Sequence, residues 1–227
     1  AKQSLISANI DFSDYEVAVY FFGTKASFYQ LEQWFGPFLA LQKKHKMLII
    51  ARNKEVFNAI QKETDFSVIY AETLDDLMNI YEKNNFKVVL YVNNGVKNFQ
   101  SLIYAQGLHV HINHGESEKS SMSSNQAKAY DYVLCAGQAG EERYKNKLIK
   151  LDTSKFIQIG RPQLDCIEPY ECQLNPERPT VLYAPTWEAT HESMNYSSVG
   201  VYGYELFKIL LESNKFNLIY KPHPATG

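Results

Sequence analysis

Short apolar runs recur along this chain, separated by stretches whose apolar residues fall at helical spacing. Residues 17–22 (Val-Ala-Val-Tyr-Phe-Phe), 47–51, 66–70 and 87–92 are β-rich and largely apolar, and 108–112 is a short alternating run. All read as strands, and the continuous run at 17–22 as one buried on both faces. Between them, Leu31 and Phe38, then Val56, Ala59 and Ile60, then Leu74, Leu77, Met78 and Tyr81 each share one helical face. Thr73 and Asp76 have the spacing of a capping box at the start of the third helix. A helix over 96–105, strands over 132–136 and 156–159, and a helix over 139–148 continue the alternation. Strands alternating with helices argue for an α/β protein with a parallel sheet and helices on both faces. Gly36-Pro37 is expected to break or kink the helix between Phe28 and Leu41.

Residues 165–179 change character, with prolines, glutamates, two cysteines and little apolar periodicity. They read as a linker. A new unit starts at 180 with a strand over 180–184, a helical face of Leu206, Phe207, Leu210 and Leu211, and a strand over 216–220. Two strands and one helix do not make a stable sheet alone. The expectation is an N-terminal domain over 1–164, a linker over 165–179 and the start of a truncated second domain over 180–227. The chain starts at Ala1 and stops just after Lys221-Pro222-His223-Pro224, which suggests a fragment of something longer.

Composition removes several classes of function. Lys and Arg number 23 against 25 Asp and Glu, so there is no basic stripe to follow nucleic acid. Cys135, Cys166 and Cys172 lack metal-ligand spacing and suggest a reducing compartment. No apolar run is long enough to span a bilayer and no secretory signal is visible. Neither a Walker-type loop nor a Ser-His-Asp order appears.

Chemistry concentrates where apolar runs end. The strand at 108–112 opens into Asn113-His114-Gly115-Glu116-Ser117-Glu118-Lys119-Ser120-Ser121. His114 stands at the strand end, where imidazole can take a proton near neutral pH, and Gly115 permits close backbone approach. Ser117, Lys119 and Ser120 offer hydroxyls, N–H groups and an ammonium suited to an anion. Gly160-Arg161-Pro162, Pro185-Thr186-Trp187 and Lys221-Pro222-His223-Pro224 also follow apolar runs. In a parallel sheet such ends gather on one edge. The flanking prolines fix the backbone of His223, and Arg161 and Lys221 suit phosphate oxygens. Each turn has a plainer explanation as a surface loop, and Trp187 as a core aromatic. His109, His111 and His114 make a poor zinc set. His114 lies an odd number of residues from the other two and points the other way while the strand lasts.

In order, His114-Gly115, Gly160-Arg161-Pro162-Gln163-Leu164-Asp165, Tyr183-Ala184-Pro185-Thr186-Trp187 and Lys221-Pro222-His223-Pro224 resemble the CDP-glycerol glycerophosphotransferase family of teichoic-acid and capsule polymerases. The resemblance runs from about Leu108 to the chain end. It implies a GT-B-like fold of two Rossmann-like domains with parallel sheets, the first on the acceptor side and the second, incomplete here, holding the donor nucleotide. It implies transfer of glycerol phosphate or a related polyol phosphate from a CDP-linked donor to a polymer or lipid-linked acceptor, with loss of CMP. No cofactor is expected, and no residues are singled out as metal ligands. The resemblance places the general base at His114 and a donor-phosphate contact at His223. The strand-end turns themselves add Gly115, Glu116, Ser117, Lys119, Ser120, Arg161, Pro185, Thr186 and Lys221 as expected substrate or phosphate contacts. The chain departs from the family where His-Gly-Thr-Pro becomes His114-Gly115-Glu116-Ser117, and where Gln163 replaces a frequent arginine.

The resemblance also implies work at the cytoplasmic face of the membrane, with peripheral contact in the full-length protein. No basic amphipathic helix in the sequence shows this. Two other functions fit the same residues: a GT-B glycosyltransferase using a nucleotide sugar, and a non-catalytic fragment that binds acceptor polymer or a partner domain.

Overall fold

The computed structural model describes residues 14–118, 122–169, 171–188 and 195–224. The chain forms two compact units, Ala1–Ile167 and Glu168–Gly227.

Among the described residues, the first unit holds a sheet of seven parallel strands. They are β1 (Val17–Phe21), β2 (Met47–Ala51), β3 (Val68–Tyr70), β4 (Val88–Tyr91), β5 (Leu108–His111), β6 (Tyr132–Cys135) and β7 (Phe156–Gln158). Their order is β3-β2-β1-β4-β5-β6-β7. Every carboxyl end therefore lies on one edge, and the direction of winding reverses between β1 and β4. The continuously apolar runs are explained by burial on both faces. Alternate residues of β1 go to opposite cores: Val17, Val19 and Phe21 to one, Ala18 and Tyr20 to the other.

Helices cover both faces. Leu31 of α1 (Tyr29–Glu32), Phe38 of α2 (Phe35–Gln42), and Val56 and Ile60 of α3 (Lys54–Glu63) pack on the first face. Leu77, Ile80 and Tyr81 of α4 (Leu74–Glu82), and Tyr144 of α5 (Gln138–Lys147), pack on the second. The expected capping box of α4 is present: Asp76 N–H donates to Thr73 Oγ1 at 3.1 Å, and Thr73 N–H to Asp76 Oδ2 at 2.9 Å. Gly36-Pro37 does not break a helix. It lies in the first turn of α2, where a missing N–H is tolerated. The interruption falls earlier, at Gln33 and Trp34.

The segment after β4 is also unlike the expected α-helix. Val96–Ile103 is a 3₁₀ helix. Asn98, Ser101 and Tyr104 are buried at intervals of three, the repeat of that helix. Their polar groups set the register. Asn98 Nδ2 donates to the Asn93 carbonyl at 2.6 Å and to Tyr130 Oη at 2.9 Å. Ser101 Oγ accepts from Tyr91 Oη at 2.8 Å and also contacts Tyr81 Oη.

The second unit pairs β8 (Thr180–Tyr183) in parallel with β9 (Asn217–Tyr220), with α6 (Tyr204–Ser213) between them in sequence. Tyr183, Phe207 and Tyr220 form its aromatic cluster, with ring centroids 5.1–5.9 Å apart. Among the described residues no helix is long and apolar enough to cross a membrane.

Candidate active site

The chain leaves β5 through a turn made by Asn113, whose φ of 59° is left-handed. Asparagine tolerates this conformation better than most residues because its side chain bonds locally. Here Asn113 Oδ1 accepts from His114 N–H at 2.8 Å and from Gly115 N–H at 3.4 Å. Trp34 Nε1 donates to the Asn113 carbonyl at 2.6 Å. The reversal lifts His114 out of the sheet, half-buried, with Tyr29 edge-on at 6.3 Å between centroids. His114 Nδ1 lies 3.3 Å from the Val92 carbonyl at the end of β4. A carbonyl only accepts, so Nδ1 carries a proton, and when the ring is neutral Nε2 holds the lone pair.

The other strand histidines have different surroundings. His109 Nδ1 meets Tyr91 Oη at 2.6 Å and its Nε2 meets the Tyr104 carbonyl at 2.6 Å. His111 stacks on Tyr130 at 5.2 Å. Burial pushes the His111 imidazole down to about 4, so it is neutral at pH 7. Both belong to the second core face rather than to the turn.

Glu116 is held by its neighbours. Its Oε1 accepts from Ala136 N–H at 2.6 Å, and its Oε2 lies 3.4 Å from Arg143 Nη1. Glu116 Oε2 also packs against Gly140 in the first turn of α5. A carboxylate at a helix amino end is favourably placed, but it repels a second anion. Arg143 donates to Glu118 Oε1 as well, from Nε at 2.8 Å and Nη2 at 2.6 Å. One guanidinium thus holds both carboxylates of the turn. No sequence signal marks this pair, because Arg143 lies 27 residues from Glu116.

A narrow crevice at the carboxyl edge brings two of the predicted turns together. Asn113, Gly115 and Glu116 line one side, Gly160, Arg161, Pro162 and Gln163 another, with Trp34 and Cys135 between. Arg161 is half-buried and forms no ion pair among the described residues. Gly160 has a φ of 70°, a left-handed turn that delivers Arg161 to the crevice. Burial raises the Cys135 thiol, with Glu116 adding to the effect, so it is a poor nucleophile here.

In the second unit, the turns after β8 and β9 come together. Lys221 N–H extends the ladder by donating to the Tyr183 carbonyl at 3.0 Å. Beyond it, the rings of Trp187 and His223 stack at 6.1 Å. Pro185, Thr186 and His223 are half-buried, and Lys221 is exposed. Ser117 is half-buried in the first unit's turn. Lys119 and Ser120 lie outside the described residues.

No family model and no curated protein matches the chain. Solved structures do. A variant of the wall teichoic acid polymerase TagF soaked with CDPG aligns over 94% of this chain and 56% of its own, at 12% identity and a TM-score of 0.53. A putative UDP-N-acetylglucosamine 2-epimerase from Listeria monocytogenes aligns over 93% of this chain and 63% of its own, at 17% identity and a TM-score of 0.53. A glycosyltransferase from Rickettsia africae aligns over 92% and 68%, at 13% identity and a TM-score of 0.50. The chain spans less than two thirds of the first two. With the parallel sheet and its winding order, these likenesses give the chain an α/β fold of the GT-B type.

Proposed function

We propose that this chain belongs to an enzyme that transfers glycerol phosphate, or a related polyol phosphate, from a CDP-linked donor to an acceptor hydroxyl. One observation carries this: the four motifs that resemble the glycerophosphotransferases follow the carboxyl ends of β5, β7, β8 and β9. The fold shared with TagF supports it.

In this mechanism, His114 Nε2 takes the proton of the acceptor hydroxyl as the oxygen attacks the β-phosphorus of the donor. The phosphoanhydride bond breaks and CMP leaves with the bonding pair. The Nδ1 contact with the Val92 carbonyl fixes the tautomer this requires. Arg161, Lys221 and His223 offset phosphate charge, and Thr186 donates a hydrogen bond. Gly115, Ser117 and Pro185 shape the turns, and Lys119 and Ser120 add donors. The acceptor is a polymer or a lipid-linked chain, reached at the inner membrane face. A positioned base contributes about 10²–10⁴-fold in rate. CMP release from CDP-glycerol by the full-length protein is expected to depend on acceptor and to fall by about that factor in His114→Ala. Near-normal turnover in that variant would refute the role of His114.

The likeness to a glycosyltransferase and an epimerase favours a second reading, transfer of a sugar from a nucleotide sugar. A donor panel of CDP-glycerol against UDP- and GDP-sugars separates the two.

A further inference from the structure

The carboxyl edge of the first sheet carries a second group of cations, on the far side of β4 from β5. Phe22 follows β1, Arg52 follows β2, and Lys97 lies in the 3₁₀ helix after β4. The strand order reverses between β1 and β4, where open α/β sheets take their ligands. The Arg52 guanidinium carbon lies 5.4 Å from the centroid of the Phe22 ring, and Lys97 Nζ lies 4.1 Å from it. Two cations therefore converge on one half-buried ring.

Arg52 is only 7% exposed. Its Nε donates to the Ala71 carbonyl at 2.6 Å, its Nη1 to Tyr20 Oη at 3.0 Å, and its Nη2 to the Glu72 carbonyl at 3.4 Å. All three acceptors are neutral oxygens. A guanidinium has five N–H donors, so these bonds do not exhaust it. Tyr20 Oη donates onward to the Lys97 carbonyl at 3.0 Å, which ties the two cation-bearing segments together. Neither Arg52 nor Lys97 forms an ion pair among the described residues. The carboxylates of Glu72 and Asp76 act on the Tyr70 hydroxyl, and so does Arg52, so these acids stand near the guanidinium without forming an ion pair with it. A buried cation without an ion-pair partner is costly, and a ligand anion relieves that cost.

We propose that Arg52 and Lys97 form a phosphoryl-binding site at the β1–β4 switch, separate from the crevice that holds Arg161. Its ligand is a phosphate mono- or diester. Arg52 keeps one N–H on each terminal nitrogen for phosphate oxygens, and Lys97 adds a compact charge. The phosphoryl group belongs either to a phosphorylated polyol or to a nucleotide. The site does not rest on the proposed transfer reaction and stands if the donor is a nucleotide sugar.

The test is an NMR titration of the chain with inorganic phosphate, glycerol 3-phosphate and CMP, read at the backbone amides of Phe22, Gly23 and Lys97. Saturable shifts at these amides are expected, and Lys97→Gln weakens them about tenfold, the effect of losing one cation. Tighter glycerol 3-phosphate identifies a polyol phosphate as the ligand, and tighter CMP identifies a nucleotide; either supports the site. Lys97 is exposed, so Lys97→Gln preserves the fold, and unshifted amides elsewhere check this. Arg52→Lys is the second variant, and Lys97→Gln decides alone if that protein does not fold. No saturable shift with any of the three probes overturns the proposal. So does binding that weakens in Arg161→Gln but not in Lys97→Gln.

Discussion

The indole N–H of Trp34 reaches the main-chain carbonyl of Asn113 at 2.6 Å, 79 residues away in sequence. Asn113 is buried and left-handed, so its carbonyl has no ladder partner and needs a donor at that spot. Trp34 supplies it from the turn between α1 and α2, while its ring stacks on Phe38 at 5.8 Å. Trp34→Phe keeps an aromatic ring and removes the N–H. It is expected to lower stability by about 1–2 kcal/mol and to reduce the proposed transfer by loosening the backbone under His114. Denaturant midpoint and turnover, measured together, check this. Full activity alongside the stability loss would mean that the turn holds without Trp34.

Arg143 and Glu116 have side chains 11% and 16% exposed, so their pairing is sheltered from water. Removing the cation leaves two carboxylates of the turn beside one another. Arg143→Ala is expected to cost about 2–3 kcal/mol. Glu116→Gln, which retains an acceptor for the Ala136 N–H, is expected to cost about 1 kcal/mol. Thermal or denaturant melts of the two variants give the order. A larger loss in Glu116→Gln would contradict it.

Gly140 lies inside α5, where alanine is normally favoured by about 1 kcal/mol. Here an added Cβ would lie 2.6 Å from Glu116 Oε2 and 3.1 Å from the Cys135 Cβ. Gly140→Ala is therefore expected to destabilise the protein by displacing Glu116 from the helix end. A rise in melting temperature would show that Glu116 can move aside at no cost.

His111 ties stability to pH. Burial holds its imidazole at about 4, against 6.5 for the exposed group; the Tyr91 carbonyl opposes this and His114 adds a smaller push downward. The unfolded chain thus binds this proton more readily than the folded one. Above pH 6.5 the group costs nothing; as pH falls from 6.5 to about 4, stability is lost. The loss is on the order of 3 kcal/mol. Unfolding free energies across that window should show the slope, and His111→Asn should flatten it. An unchanged slope in the variant would assign the acid sensitivity to other groups.

The strands of the first sheet and the cap of α4 were legible because each is local. A run such as Met47-Leu48-Ile49-Ile50-Ala51 has no polar face to mislead, and Thr73 and Asp76 stand three residues apart. The 3₁₀ helix at Val96–Ile103 was not legible. Its period is set by tertiary bonds from Asn98 and Ser101, and those partners are far off in sequence. The turns at His114 and Arg161 were found as separate strand ends, and only the sheet order brings them to one crevice. The partner of Glu116 was hidden for a related reason, since nothing in the neighbouring residues announces Arg143. Asn113 and Trp34 went unremarked because a left-handed residue and its carbonyl's donor show only in three dimensions.

The uniform direction of the seven strands has a use at the bench. Loops that lead into strands open on the edge opposite His114, and the Thr153–Lys155 turn before β7 is one of them. Thr153 is exposed there. A cysteine at that position, with exposed Cys166 and Cys172 first replaced, gives a handle for a dye or a surface linkage. The molecule can then be immobilised by the edge opposite His114.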